Sequence, residues 1–267
     1  MHPIERLRFI AQAEDEPVAA VAAEAAFSLA ELAGSEPAAA LMAARRLVEH
    51  HPTAGPLYWA CACVLGAEDP YSEASAVEAA LSSDRTARHL SSLLRERFGE
   101  GSVLVASPPL EVLGEALDLD SGGHVVRVVS EQESLRHEVR SLGRVADEVV
   151  GYTPQEAAEA LAGASVLLVE ALVAGSAVVV LSRPAAALVD GAAAAGVPAV
   201  LLVAQGRVLS AQLAGPAAEA AVESGLAEVM SPDRFALAVG HGGIGGAIAA
   251  VASFTCPPGD WLTVGRR

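Results

Sequence analysis

The fold is decided by residues 164–204, ASVLLVEALVAGSAVVVLSRPAAALVDGAAAAGVPAVLLVA, which hold three apolar runs and one alanine-rich segment. The runs are 165–169 (SVLLV), 177–181 (AVVVL) and 199–203 (AVLLV). They are short, β-branched and unbroken, a pattern typical of strands covered on both faces. Residues 174–176 predict a hairpin between the first two runs. Between Pro184 and Gly196 we expect a helix, because proline suits a first helical turn and glycine a C-terminal cap. The unit therefore predicts strand, strand, helix, strand in one covered parallel sheet.

The composition and the charge of the chain limit its partners. The 267 residues are 52% hydrophobic but only 4% aromatic, so we expect a large core of small aliphatic side chains. The formal net charge is -16, and such a field repels nucleic-acid phosphates and anionic lipid surfaces. We therefore expect neither nucleic acid nor a membrane as a partner. A small anionic ligand would need a local arginine or a helix N-terminus against this background.

The apolar stretches and the cysteines indicate a cytoplasmic protein. The longest apolar stretch, 164–181, is interrupted by Glu170 and a glycine turn, which favours core strands over a membrane span. Residues 14–16 are acidic where a signal peptide has its apolar centre. The cysteines are odd in number, and Cys61 and Cys63 point to different faces of a predicted helix. We expect them to be small core residues, with no metal site and no cofactor.

The hydrophobic period changes near residue 100. Residues 17–98 have the spacing of consecutive helices, whereas strands and helices alternate at short spacing from residue 102 onward. This pattern predicts an α/β protein with a helical N-terminal domain (1–98). A Rossmann-like three-layer α/β/α domain with a mostly parallel sheet and a C-terminal tail (99–267) follows it. In such a domain ligands bind at the carboxyl ends of the strands.

Several short motifs occur in a characteristic order. They are the turn His51-Pro52-Thr53-Ala54 before an aromatic helix, a strand ending at Ser107, the segment Ala195-Gly196-Val197-Pro198, and the pair Pro257-Pro258. In this order they resemble the translation initiation factor 2B alpha/beta/delta family, which includes the methylthioribose-1-phosphate and ribose-1,5-bisphosphate isomerases. The resemblance covers most of the chain from about residue 20. It implies the two domains described above and a homodimer formed mainly through the C-terminal domain.

The resemblance also implies a ligand site. In the isomerases of the family the first strand ends in a catalytic cysteine, and the matching residue here is Ser107. Their proton-transferring aspartate falls at Glu170. Their phosphosugar-binding segment falls at residues 181–185, which include Ser182 and Arg183. These four are the candidate ligand-binding residues, and Ser107 and Glu170 are also the candidates for catalysis.

At these positions the chain differs from the isomerases, and the differences affect the activity that can be expected. Moving a proton between sugar carbons requires an acid and a base with pKa values near the working pH. The hydroxyl of Ser107 lacks the acidity of a thiol, and Glu170 can act only if the alternation of the strand aims it at the pocket. Arg183 is either a forked phosphate donor or a surface arginine beside a proline turn.

The sequence therefore favours a non-catalytic dimeric binding or regulatory protein that senses a phosphorylated sugar or nucleotide, or a scaffold. The alternative is an aldose–ketose phosphosugar isomerase with substituted catalytic residues.

A glycine-rich segment supports a different hypothesis. Residues 240–246 (GHGGIGG) follow a predicted strand, and Gly240, Gly242 and Gly245 have the spacing of a dinucleotide-binding loop. The segment lies near the end of the chain, with no acidic residue on a following strand to bind a ribose. A flexible or interface loop is the favoured interpretation, and a nucleotide site is the alternative.

Overall fold

The computed structural model describes residues 3–12, 17–120, 123–252 and 255–263, and the first part of the chain is helical. The helices are α1 (Pro3–Ile10), α2 (Val18–Ser35), α3 (Pro37–His50), α4 (Gly55–Gly66), α5 (Pro70–Ser82) and α6 (Thr86–Leu93), the last continued by a π-helical turn (Leu94–Phe98). Small side chains let α2 pack closely against α4 and α5. Asp69 starts α5 by accepting hydrogen bonds from the backbone N–H groups of Tyr71 and Ser72. The predicted helices are confirmed, and α1, which the sequence analysis missed, packs on α2 and α3.

The second part of the chain forms two sheets. Its strands are β1 (Val103–Ser107), β2 (Val125–Val129), β3 (Glu148–Tyr152), β4 (Val166–Glu170), β5 (Val173–Ala174), β6 (Val179–Ser182), β7 (Ala199–Val203), β8 (Ala227–Met230), β9 (Leu237–Gly240) and β10 (Gly243–Gly245). In the described chain the order β10-β9-β7-β4-β1-β2-β3 makes a seven-stranded sheet, parallel except for β10. The carboxyl ends of β1, β4 and β7 therefore lie at one edge, and the predicted α/β class with a mostly parallel sheet is confirmed.

Helices cover both faces of the large sheet. The helices of this part of the chain are α7 (Glu111–Asp118), α8 (Gln132–Leu142), α9 (Ala157–Leu161), α10 (Arg183–Ala195), α11 (Ala211–Glu223) and α12 (Ile248–Val251). Helix α11 packs against β5, β6 and β8 of the small sheet, and the other helices lie on the large sheet. Successive residues of β1 face opposite layers: Leu104 packs in a core with Leu90 of α6 and Leu113 of α7, whereas Val105 packs in a core with Leu188 of α10. Helix α6 thus belongs to the core of the sheet, and the domain boundary at residue 98 stays a prediction.

The expectation for residues 177–181 was wrong in one respect. Residues 179–181 do lie in a buried strand, β6, but it pairs antiparallel with β5 and β8 in a separate three-stranded sheet. The predicted hairpin exists and joins β5 to β6, while β4 goes on to pair with β7 in the large sheet. An unbroken apolar run reports burial on both faces, and it carries no information about which strand lies beside it.

The sequence also predicts a loop at residues 207–213 and a helix at 216–224, and the structure differs at the boundary between them. Helix α11 begins at Ala211 and contains Pro216 in its interior. Burial of Leu213 and Ala214 in the helical core outweighs the preference of proline for a first turn. The sequence predicts that the C-terminal tail, residues 253–267, docks on the domain. Of these residues, 255–263 are described and lie on the helices, where the guanidinium of Arg45 donates to the carbonyl oxygen of Trp261 at 2.7 and 2.9 Å.

Helix α2 is the one described helix that is long and apolar enough to cross a membrane. Its 18 residues contact α1, α3, α4 and α5, and Leu29 and Leu32 are almost completely buried among them. A helix at the centre of a bundle passes the same test of length and hydropathy, so α2 is explained by its packing.

Candidate functional site

The carboxyl ends of β1 and β4 bring the two principal candidates together. Ser107 ends β1 and pairs in register with Val169, so that Glu170 ends the neighbouring strand one residue further on. The two side chains are almost fully buried, with exposed fractions of 1% for Ser107 and 2% for Glu170. Two polar residues at adjacent strand ends of a parallel sheet are where a ligand site of this fold class is expected.

Glu170 points toward the start of α7. Its Oε1 accepts hydrogen bonds from the backbone N–H of Val112 at 2.8 Å and of Leu113 at 3.4 Å. Burial is the main influence on this carboxyl and raises its pKa to about 8, against the opposing effects of Arg207 and of the two amides. At neutral pH Glu170 is therefore mainly protonated.

The cation of this cluster is Arg207, which was not among the candidate residues predicted from the sequence. Its side chain is 5% exposed, and Nη1 donates to the carbonyl oxygen of Ala171. Nη2 lies 3.7 Å from Oε2 of Glu170 and donates to Oε2 of Glu111 at 3.5 Å. Arg207 follows the end of β7 by four residues, and a charged residue so close to a buried parallel strand is the signal that could have identified it.

The loop that carries Arg207 is held by the turn before α4. Gly55 donates its N–H to the carbonyl oxygen of Leu172, and a Cβ on it would lie 2.5 Å from that oxygen and 3.2 Å from Cα of Arg207. Gly206 has φ +81° and lies against Pro56 and Trp59. Only glycine allows both close approaches without strain. The helical part of the chain therefore helps to position the buried arginine.

Ser182 and Arg183 occupy different environments. Ser182 donates from Oγ to the carbonyl oxygen of Pro108 at 2.7 Å, which ties the start of α10 to the turn that follows Ser107. That turn contains a cis bond between Pro108 and Pro109. Arg183 is exposed at the first residue of α10. The arginine that reaches Glu170 is thus Arg207.

Three buried polar atoms of the cluster have no hydrogen-bond partner among the described residues: Oγ of Ser107, Oε2 of Glu170 and Nε of Arg207. Buried polar atoms are nearly always paired, and each unpaired one costs about 1–3 kcal/mol. The hydroxyl of Ser107 and the protonated carboxyl of Glu170 can each donate and accept a hydrogen bond, and Nε of Arg207 can donate one, so this cluster can bind a polar ligand. The side chain of Glu111, which is 46% exposed, connects this cluster to the surface.

The glycine-rich segment 240–246 is a hairpin. Gly240 ends β9, Gly243 begins β10, and the two strands pair antiparallel across the turn. Helix α12 after it has only four residues. A Cβ on Gly240 would lie 2.8 Å from the carbonyl oxygen of Val251, so this glycine allows close backbone packing. The segment lacks the strand-loop-helix geometry that a pyrophosphate requires.

A second polar cluster lies at the opposite ends of β1 and β2. Oγ of Ser102 lies 2.8 Å from Nδ1 of His124, whose Nε2 lies 3.0 Å from Oδ2 of Asp120. All three residues are buried, and His124 and Asp120 border a polar cavity of about 350 Å³. Sequence analysis did not single out these residues.

The expectation of core cysteines is confirmed for two of them, whereas Cys256 is only partly buried. Cys61 and Cys63 are buried, and burial raises the pKa of the Cys61 thiol to about 12. The described part of the chain contains no group of three or more His, Cys, Asp or Glu side chains arranged to hold a metal ion.

The fold has well-matched counterparts among solved structures. The translation initiation factor eIF-2B of Pyrococcus horikoshii OT3 superposes with a TM-score of 0.73 at 15% identity, over 93% of this chain and 98% of that one. The tetrameric eIF2B-beta2-delta2 complex of Chaetomium thermophilum gives 0.62 at 12% identity, over 90% and 89%. The 5-methylthioribose 1-phosphate isomerase of P. horikoshii OT3 gives 0.62 at 14% identity, over 97% and 86%.

These matches define the class of the protein by its fold. No family model and no curated protein matches the sequence. The chain has the fold that eIF2B subunits share with 5-methylthioribose 1-phosphate isomerase, at a low sequence identity that marks it as diverged. The resemblance predicted from the order of the motifs is therefore confirmed at the level of the fold.

Proposed function

We propose that this eIF2B-like protein binds a small phosphorylated ligand, a sugar phosphate or a nucleotide, beside Ser107, Glu170 and Arg207. The observation that carries the proposal is the set of unpartnered polar atoms on these three buried side chains. A polar ligand would satisfy donors and acceptors that the protein leaves open.

The charge state of the cluster favours an anion. Because burial raises the pKa of Glu170 to about 8, the carboxyl is mainly neutral at pH 7 and does not cancel the charge of Arg207. The carboxylate that faces Arg207 from the surface is Glu111, at 3.5 Å and 46% exposed. A phosphate can displace this partly solvated carboxylate and pair with the guanidinium fork.

The same cluster explains why we favour binding over catalysis. Isomerisation of a phosphosugar needs two groups that exchange protons near neutral pH. Glu170 has a suitable pKa, but Ser107 is an alcohol and Arg207 stays protonated. An isomerase that uses Glu170 as its acid–base group is the second candidate, and its raised pKa is the observation in its favour. If the protein isomerises an aldose phosphate and Glu170→Gln abolishes that activity, this alternative is established.

Ligand binding can be tested by calorimetry with ribose 5-phosphate, ribose 1,5-bisphosphate, AMP and inorganic phosphate. Glu111→Gln removes the competing carboxylate at an exposed site, so we expect it to tighten binding about three- to tenfold. Arg207→Gln should abolish binding, and Arg140→Gln on the exposed face of α8 is the matched control. If no probe binds at millimolar concentration, the sensing role is wrong. If Arg183→Gln abolishes binding and Arg207→Gln does not, the anion is held at the start of α10.

We also propose that the chain forms a homodimer through its C-terminal part, residues 99–267. The eIF2B-beta2-delta2 structure is a tetramer, so proteins of this fold form oligomers. In this chain Val222 of α11 and Val229 of β8 are 46% and 44% exposed and border the same apolar cavity of about 410 Å³. Exposed apolar side chains that cluster in this way are typical of protein interfaces.

The homodimer can be tested by sedimentation equilibrium. Val229→Arg places a charge in the apolar cluster and should shift the protein to monomer. Ile244→Arg is a matched control, because Ile244 is also a branched residue on an edge strand and is 43% exposed. A wild-type monomer, or equal effects of both substitutions, would contradict this interface.

A further inference from the structure

Helices α1 and α3 leave an apolar groove between them, far along the chain from the polar cluster at the strand ends. The cavity measures about 590 Å³. Its lining is Ile4, Leu7, Arg8, Ala11, Gln12, Ala39, Met42, Ala43, Arg46, Leu47 and His50. On α3 these residues recur every three or four positions, which places them on one face of the helix.

Basic side chains border the groove, although the protein as a whole is acidic. Arg8, Arg46 and His50 line it, and among the described residues that line it none is acidic. Neither Arg8 nor Arg46 has an ion-pair partner in the described ranges, although the chain as a whole has a net charge of -16. His50 lies in the last turn of α3, where its Nδ1 is 2.8 Å from the carbonyl oxygen of Arg46.

From this combination we infer that the groove binds a single-chain fatty carboxylate, whose alkyl chain lies between α1 and α3 and whose carboxylate pairs with Arg8 and Arg46. The bottom of the groove is well suited to an alkyl chain, because Leu7 and Leu47 are 3% and 1% exposed, while the flexible side chain of Met42 is 49% exposed at its edge.

The groove has the size of a small-molecule site. The volume lies within the range of about 300–1,000 Å³ that is typical of small-molecule sites. The alanines at positions 11, 39 and 43 contribute only small side chains to its lining.

The test is calorimetric titration of the whole chain with dodecanoate below its micelle concentration. Affinity should rise about fourfold for each methylene added between octanoate and dodecanoate, as expected for burial of an alkyl chain. The double variant Arg8→Gln/Arg46→Gln should weaken binding at least tenfold. Arg136→Gln/Arg140→Gln, a pair of exposed arginines on α8, is the matched control and should leave it unchanged.

One further variant and one further ligand test the proposal if the double variant folds poorly. Ala43→Leu fills the groove and should abolish binding, with retained helicity by circular dichroism as the check on folding. Dodecyltrimethylammonium, which has the same chain and the opposite charge, should bind at least tenfold more weakly than dodecanoate. Failure of dodecanoate to bind at submillimolar concentration, equal binding of the cation, or binding of an acidic amphipathic helical peptide in its place would overturn the assignment.

Discussion

The two ends of β1 have similar side chains in different states of hydrogen bonding. At the amino end Ser102, His124 and Asp120 are connected by contacts of 2.8 and 3.0 Å. At the carboxyl end Ser107, Glu170 and Arg207 are equally buried, yet each keeps an atom without a hydrogen-bond partner in the described chain. Both clusters contain a serine and an acid, so the types of residue alone do not distinguish them.

The difference shows how a structural cluster can be separated from a candidate site. The serine and histidine of the first cluster use one another as partners, which holds the starts of β1 and β2 to the end of α7. In the cluster at the amino end of β1, one oxygen, Oδ1 of Asp120, has no hydrogen-bond partner in the described chain. In the cluster at the carboxyl end, three atoms on three residues have none. A cluster whose polar atoms are hydrogen-bonded to one another contributes to stability. A cluster with unpaired buried polar atoms lowers stability, and a ligand that pairs with these atoms can remove that loss.

The largest effect should come from breaking the satisfied cluster. His124→Ala leaves the side chains of Ser102 and Asp120 buried without their partner, and we expect the free energy of unfolding to fall by about 2–4 kcal/mol. Urea denaturation measures this change. His137→Ala on the exposed side of α8 is the control and should alter stability by about 0.5 kcal/mol or less. A loss below about 1 kcal/mol for His124→Ala would mean that the contacts contribute little.

A smaller effect, dependent on pH, should appear at Glu170. The pKa of this carboxyl is raised by burial from its ordinary value of 4.5 to about 8, so the folded state keeps a proton that the unfolded state releases. The stability of the wild type relative to Glu170→Gln is therefore greatest below pH 4.5 and falls as the pH rises to about 8. At pH 7 the variant should be more stable by about 1–3 kcal/mol. Parallel stability profiles for the two proteins would contradict the raised pKa.

The smallest expected change in stability gives the most direct comparison of the two ends of β1. Ser102→Ala removes the partner of His124 and should cost about 1 kcal/mol. Ser107→Ala removes a hydroxyl without a partner in the described chain, so stability should change by about 0.5 kcal/mol or less, or increase. Chemical denaturation of both variants under one set of conditions measures the difference. Equal losses would show that Ser107 has a bonded role in the folded protein.

Much of the fold could be predicted because hydrophobic period reports which faces of an element are buried. The helical stretch before residue 98 and the strands β1, β4 and β7 follow their predicted positions. The partner of β6 could not be predicted in this way. A run of valines is equally apolar in a parallel sheet and in a small antiparallel one, and only the path of the chain decides between them.

The site was predicted in part. The family resemblance singled out Ser107 and Glu170, and the structure places them at adjacent ends of two parallel strands. Their role in a ligand site stays a prediction. Arg207 was missed, since it lies 37 residues beyond Glu170 and reaches it only through the pairing of β4 with β7 and the packing of Gly55 and Gly206. The direction of Glu170, left open by strand alternation, is decided by the amides at the start of α7.

The sequence by itself determined the layered α/β architecture, the helical first part and the strand ends where polar residues would gather, because these depend on local periodicity and on the types of residue. The tertiary structure decided which strands pair and which arginine faces Glu170. It also showed which buried polar atoms lack partners and where α1 and α3 leave a groove. These features arise from contacts between residues distant in the chain, and the free energy of such contacts depends on packing and burial that no local pattern records.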